Sequence, residues 1–96
     1  MPTKRSLPAA LKLARKARGL SQEAFSDVSS RTYLSSLERG TKNPTLGKIA
    51  AICQVLAIHP LTLLALSYTG GNLSEADMLL ARIRRELTAL TRPTKK

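Results

Sequence analysis

Apolar residues recur along this chain three and four positions apart, and caps, glycines and prolines divide them into six runs with the helical period. Leu7, Leu11, Ala14 and Ala17 or Arg18 form the first stripe, with Ser6 as its cap, Pro8 in its first turn and Gly19 as its stop. Ser21 is placed to cap a second helix that begins at Gln22 and buries Ala24, Phe25 and Val28. Ser29 or Ser30 then caps a third, running from about Arg31 to Arg39, which buries Leu34 and Leu37 and ends on Gly40. Asn43 before Pro44 is biased away from helix, so Thr41-Lys42-Asn43-Pro44 reads as a loop. Thr45 caps the fourth run, whose Leu46, Ile49, Ala50, Ile52, Cys53 and Leu56 span the broad face of a central core helix. His59-Pro60 opens a short fifth helix with Leu61, Leu63, Leu64 and Leu66, and Gly70-Gly71 is a hinge.

The last run, residues 72–91, begins with an apolar staple at Leu73, a cap at Ser74, acid at Glu75 and Asp77, and a second apolar residue at Met78. From there Ala76, Leu80, Ile83, Leu87 and Leu90 are spaced four, three, four and three, the stripe of a helix that packs lengthwise on another helix. That helix is either in the same core or in a second copy of the chain. Every run has the helical period, so the expected class is all-α.

The outer face of the third helix changes the picture. Arg31, Thr32, Ser35, Ser36 and Arg39, with Tyr33 at the edge, are cationic or hydrogen-bonding, and none is a carboxylate. Such a face suits the major groove of double-stranded DNA, where Arg reads guanine O6 and N7 and hydroxyls donate or accept at several base edges. Taken alone, it equally fits a solvated face on an ordinary helix pair.

Charge favours the first reading. The net charge of +10 over 96 residues is unevenly spread: residues 1–44 carry +6, residues 45–81 carry −1, and residues 82–96 carry +5. A basic half bearing a polar helix face is the footprint of a polyanion binder, because each cation that neutralises a phosphate releases a condensed counterion. Phe25, Tyr33 and Tyr68 are the aromatic residues, too few for stacking on single strands or for anchoring a basic helix in a membrane. Residues 1–6 read as a flexible basic arm and residues 92–96 as a basic tail.

In order, Leu20-Ser21-Gln22-Glu23, Arg31-Thr32-Tyr33-Leu34-Ser35 and Leu37-Glu38-Arg39-Gly40, followed by Asn43-Pro44-Thr45, make the stretch from Leu7 to Leu66, within a domain expected at residues 7–69, resemble the Xre/Cro-type helix-turn-helix family of phage-repressor-like transcription regulators. The turn between its second and third helices is shorter than the family's and lacks the small-residue–Gly–Val step, leaving Val28-Ser29-Ser30 to serve. The resemblance implies a five-helix repressor-like domain, here with an additional C-terminal amphipathic helix. It places Arg31, Thr32, Ser35 and Ser36 towards bases, and Gln22, Ser30, Tyr33, Arg39, Lys42 and Asn43 along the backbone or groove edge. In particular, it sets Gln22 together with a helix N-terminus on a phosphate. It also pairs Arg15 with Glu38, which neutralises a carboxylate in a helix otherwise offered to DNA.

The implied function is a sequence-specific regulator, a repressor acting as a homodimer on a palindromic operator. Since five helices of this family close their own core, residues 72–91 are expected to pair with their copy. The competing class is a protein-binding module, an antitoxin or adaptor that holds a protein partner; a third is charge-driven compaction of nucleic acid. No nucleophile–base pair, paired carboxylates or Gly-rich phosphate loop suggests an enzyme. Lone Cys53 and His59 give no metal-ligand spacing, so no cofactor is expected. With no apolar run of membrane length and no signal-peptide pattern, a cytoplasmic protein is expected.

Overall fold

The computed structural model describes residues 5–92. Among these it contains five α-helices and one 3₁₀ turn: α1 (Leu7–Ala17), the 3₁₀ turn Gln22–Phe25, α2 (Arg31–Arg39), α3 (Leu46–Leu56), α4 (Pro60–Thr69) and α5 (Leu73–Thr91). No strand occurs among the described residues. The greater part of the expected basic tail, and the start of the expected basic arm, lie outside them.

α3 lies at the centre because four of its residues, Ile49, Ile52, Cys53 and Leu56, fall on one face and are buried. Ile52 and Leu56 pack with Leu11 of α1, Phe25 of the 3₁₀ turn, and Leu34 and Leu37 of α2. Ile49 and Cys53 pack with Ala10 of α1 and Leu63 of α4. Each large side chain so buried contributes about 1.5–3 kcal/mol relative to exposure, so α3 is the element whose truncation the fold would tolerate least. Burial also pushes the Cys53 thiol up from its ordinary pKa, away from the thiolate that redox chemistry needs.

The boundaries follow from capping. Ser6, Ser30 and Thr45 each accept a backbone N–H of the first turn of their helix, from Ala9, Tyr33 and Lys48 respectively. His59 does the same for α4, its Nδ1 accepting from Leu61 N at 3.0 Å. α2 ends on Gly40 at φ 78°, where a Cβ would also sit 3.4 Å from Pro8 Cγ; glycine meets both the left-handed backbone and the close approach of α1. α3 ends instead on Ala57 at φ 60°, a left-handed cap without glycine. Its carbonyls are held from outside: Arg18 donates from Nε to Leu56 O at 2.9 Å and from Nη2 to Ala57 O at 3.3 Å. Arg18, read as a fringe residue of the first stripe, therefore closes a helix thirty-eight residues further along.

Two expected helix starts differ. The segment from Gln22 is a four-residue 3₁₀ turn with no side-chain bond from Ser21, closed by i→i+3 bonds from Ala24 N to Ser21 O and from Ser26 N to Glu23 O. The extra helix starts at Leu73 under an Asn72 cap, whose Oδ1 accepts from Glu75 N at 3.0 Å, two residues before Ser74. An amide oxygen at Asn72 caps as well as a serine hydroxyl would, and Gly70 and Gly71, both at positive φ, deliver the chain there.

α5 is the outlying element. It packs on α4, and Arg5 forms a bidentate pair with Glu75 at its start. None of its residues is buried. Leu73, Met78, Leu80, Ile83, Leu87 and Leu90 all stand exposed, and the molecule measures 53 × 30 × 23 Å.

Candidate nucleic-acid interface

α2 is positioned by three independent ties. Leu34 and Leu37 anchor its inner face in the core, Ser30 and Gly40 fix its ends, and Arg15 holds it to α1. Arg15 donates from Nε to Glu38 Oε2 at 2.6 Å, from Nη2 to Glu38 Oε1 at 3.0 Å and from Nη1 to Leu20 O at 2.9 Å. Their side chains are 11% and 5% exposed. The hydrogen bonds to Glu38 raise the Arg15 pKa above its already high ordinary value, so the guanidinium keeps its charge at any working pH. A fork of parallel hydrogen bonds fixes orientation as well as distance, and it neutralises the carboxylate of α2 from the protein side.

The outer face of α2 and the start of the 3₁₀ turn form an open depression of about 350 Å³ lined by Gln22, Arg31, Thr32, Ser35 and Arg39. Five residues named from the sequence are thus brought together. Arg31 is 72% exposed and its Nη1 lies 3.6 Å from Glu23 Oε1, a loose surface pair worth at most about 1 kcal/mol and easily exchanged for a phosphate or base. Thr32 is exposed. Arg39 donates to the Ser35 hydroxyl and, at 3.4 Å, to that of Ser36.

Ser36 is the base-facing candidate that the structure covers: it is 8% exposed, and its hydroxyl accepts from Arg39 at 3.4 Å. Ser35 and Ser36 flank the buried line of Leu34 and Leu37 on opposite sides, and of the two flanks that of Ser35 is half-buried and that of Ser36 buried, while Thr32 is exposed. Gln22 departs from expectation differently. A single 3₁₀ turn carries little of a helix dipole, and the Gln22 amide donates to Glu38 Oε1 at 3.3 Å, so the residue braces the Arg15–Glu38 pair at the rim of the depression.

Ser30 is exposed, with its oxygen engaged in the cap. Tyr33 is half-buried against the core, with Lys48 Nζ 5.4 Å from its ring centroid. The same ammonium donates to Val28 O at 2.7 Å. Lys48 thus pins the shortened turn, a role no local pattern in α3 signals. Lys42 and Asn43 are exposed on the loop after Gly40. Ala76 of the α5 stripe is half-buried, while Leu80, Ile83, Leu87 and Leu90 are exposed.

Among the described residues no His, Cys, Asp or Glu cluster could hold a metal, and no single helix is long and apolar enough to cross a membrane. The family model described as Helix-turn-helix matches residues 11–63, which run from within α1 to the first turn of α4 and contain the whole depression. Neither a curated protein nor a solved structure gives a significant match.

Proposed function

Since this chain belongs to the Xre/Cro-type helix-turn-helix family, a non-enzymatic family of DNA-binding transcription regulators, we propose that it is a repressor that places α2 in the major groove of a palindromic operator as a homodimer. The observation that carries the reading is the depression lined by Gln22, Arg31, Thr32, Ser35 and Arg39: an uncovered polar and cationic surface on a helix whose one carboxylate is already neutralised from behind. Arg31, Thr32 and Ser35 are the base-reading residues. Arg39, Lys42, Asn43 and Ser30 take the sugar–phosphate backbone, and Tyr33 and Gln22 shape the groove edge. Selection of bound duplexes from a random pool should return a two-fold symmetric consensus. On that site Arg31→Ala and Thr32→Ala should each cost about 1–3 kcal/mol and relax preference at one position per half-site, read by titration against single-base variants. A featureless pool, or a consensus bound unchanged by both variants, would overturn the assignment.

The dimer is the α5 part of the same proposal. A contiguous apolar patch of this size on one helix is the mark of an interaction surface. It is continuous with an apolar groove of about 540 Å³ between α4 and α5, lined by Leu61, Ala65, Leu66, Leu73, Ala76 and Leu80 among others. That groove also favours the second reading, in which a helix of a different protein is held there. Sedimentation of the chain alone separates the two, since a monomer at tens of micromolar would leave the groove to a foreign partner.

A further inference from the structure

The distal half of α5 has a second face that neither the groove-reading helix nor the apolar stripe uses. At about 100° per residue, Arg85 and Arg92 lie roughly opposite the line of Leu80, Ile83, Leu87 and Leu90, with Arg84 and Thr88 on the adjoining flank. Arg84, Arg85, Thr88, Ala89 and Arg92 line a shallow depression of about 330 Å³. The one nearby carboxylate, Glu86, is engaged by Arg82 at 3.0 Å, so no acid among the described residues lies within ion-pair reach of Arg84, Arg85 or Arg92. All are exposed.

Three unpaired guanidiniums converging on one depression bind oxyanions in fork geometry, and phosphodiesters are the oxyanions a DNA-binding chain meets. We infer that the Arg84–Arg85–Arg92 face of α5 is a second phosphate-binding surface that holds a duplex segment other than the one entered by α2. The two surfaces sit on different parts of the fold: α2 packs on α1 and the 3₁₀ turn, α5 on α4. A membrane surface is disfavoured because α5 carries no Trp or Phe to anchor its apolar stripe at a bilayer interface, and covering that stripe with protein leaves Arg85 and Arg92 free for a polyanion. The inference takes DNA as the ligand class from the family and adds a separate site, with a separate consequence: one protein joins two stretches of duplex.

The test compares the full chain with R84Q/R85Q/R92Q and with R84K/R85K/R92K, glutamine and lysine being chosen as good helix formers. Protein is loaded on an immobilised short duplex, and capture of a second, labelled duplex is read at low salt. The wild type should capture it, with a log–log salt slope of about −3 for three phosphates. The glutamine variant should lose at least tenfold of that capture while retaining the first duplex and its helix content by circular dichroism, and the lysine variant should recover it. Capture undiminished in the glutamine variant overturns the inference. So does a defect confined to vesicles containing phosphatidylserine, included as a parallel arm. Failure of the wild type to be retained by the first duplex would count against the α2 reading instead, and labelled-duplex binding to an α2-disabled Arg31→Ala/Thr32→Ala chain then reads the α5 face alone.

Discussion

At the scale of single residues, the side chain on which the most depends is one that touches no ligand. Arg15 satisfies both oxygens of Glu38 and the carbonyl of Leu20, and with it removed a nearly buried carboxylate keeps the Gln22 amide as its remaining side-chain partner. Arg15→Ala should therefore cost about 3 kcal/mol of stability, measured by urea unfolding, whereas Glu38→Gln should cost less because its amide oxygen still accepts from Arg15. The two serines side by side on α2 make a sharper contrast. Ser35→Ala should weaken DNA binding without moving the unfolding midpoint, and Ser36→Ala should leave base preference intact, because Arg39 keeps its closer bond to Ser35. Affinity and melting measured on both variants check the pair. The Arg15–Glu38 contact was legible because the family pattern marks both positions. The inward turn of Ser36 was not, since Ser35 and Ser36 are chemically alike and their fates are decided by about 100° of helix rotation.

At the scale of elements, capping residues predicted the starts of α1, α2 and α3 and the ends of α1 and α2 from local chemistry alone. What could not be read locally was the state of the segment after Ser21. Its apolar positions have the α-helical period, yet it closes as a 3₁₀ turn, and Lys48, twenty residues on from Val28, bonds to the chain that follows it. Lys48→Met should loosen the turn at little cost to core packing, seen as faster amide exchange at Val28 and Ser29. The start of α5 is tied by a charge pair. Hydrogen bonding to Arg5 holds the Glu75 carboxyl below the ordinary glutamate range. A lowered native pKa means that the pair's contribution is present above the pKa of a free glutamate and is lost as the pH falls through the native value. An NMR titration should find the Glu75 midpoint below the ordinary glutamate range, and Arg5→Ala should return it to that range.

At the scale of the whole molecule, two polar or cationic surfaces and one apolar one are arranged on a small core. Fold class and the number of core runs were plain in the sequence, because spacing and burial go together in helices. Whether the last stripe faced inward was not, since the same four–three spacing serves a core and an interface equally; in the structure it stays uncovered. If α5 pairs with its copy, Ile83→Lys together with Leu87→Lys should give a folded monomer by sedimentation and weaken operator binding at least tenfold, since each half-site would then be bound alone.

Residues 81–91 of α5 are all exposed in the single chain. A helix of three turns without a neighbour is marginal in water, so this stretch should open locally long before the core does. It also holds Arg82, Arg84 and Arg85 in near succession, each a cutting point for trypsin. Brief digestion should accordingly clip the chain there first, leaving α1 to α4 whole, and should do so faster as the sample is diluted. The lifetime of the intact molecule would then depend on how much of it is present, with scarce copies trimmed and abundant ones sheltered.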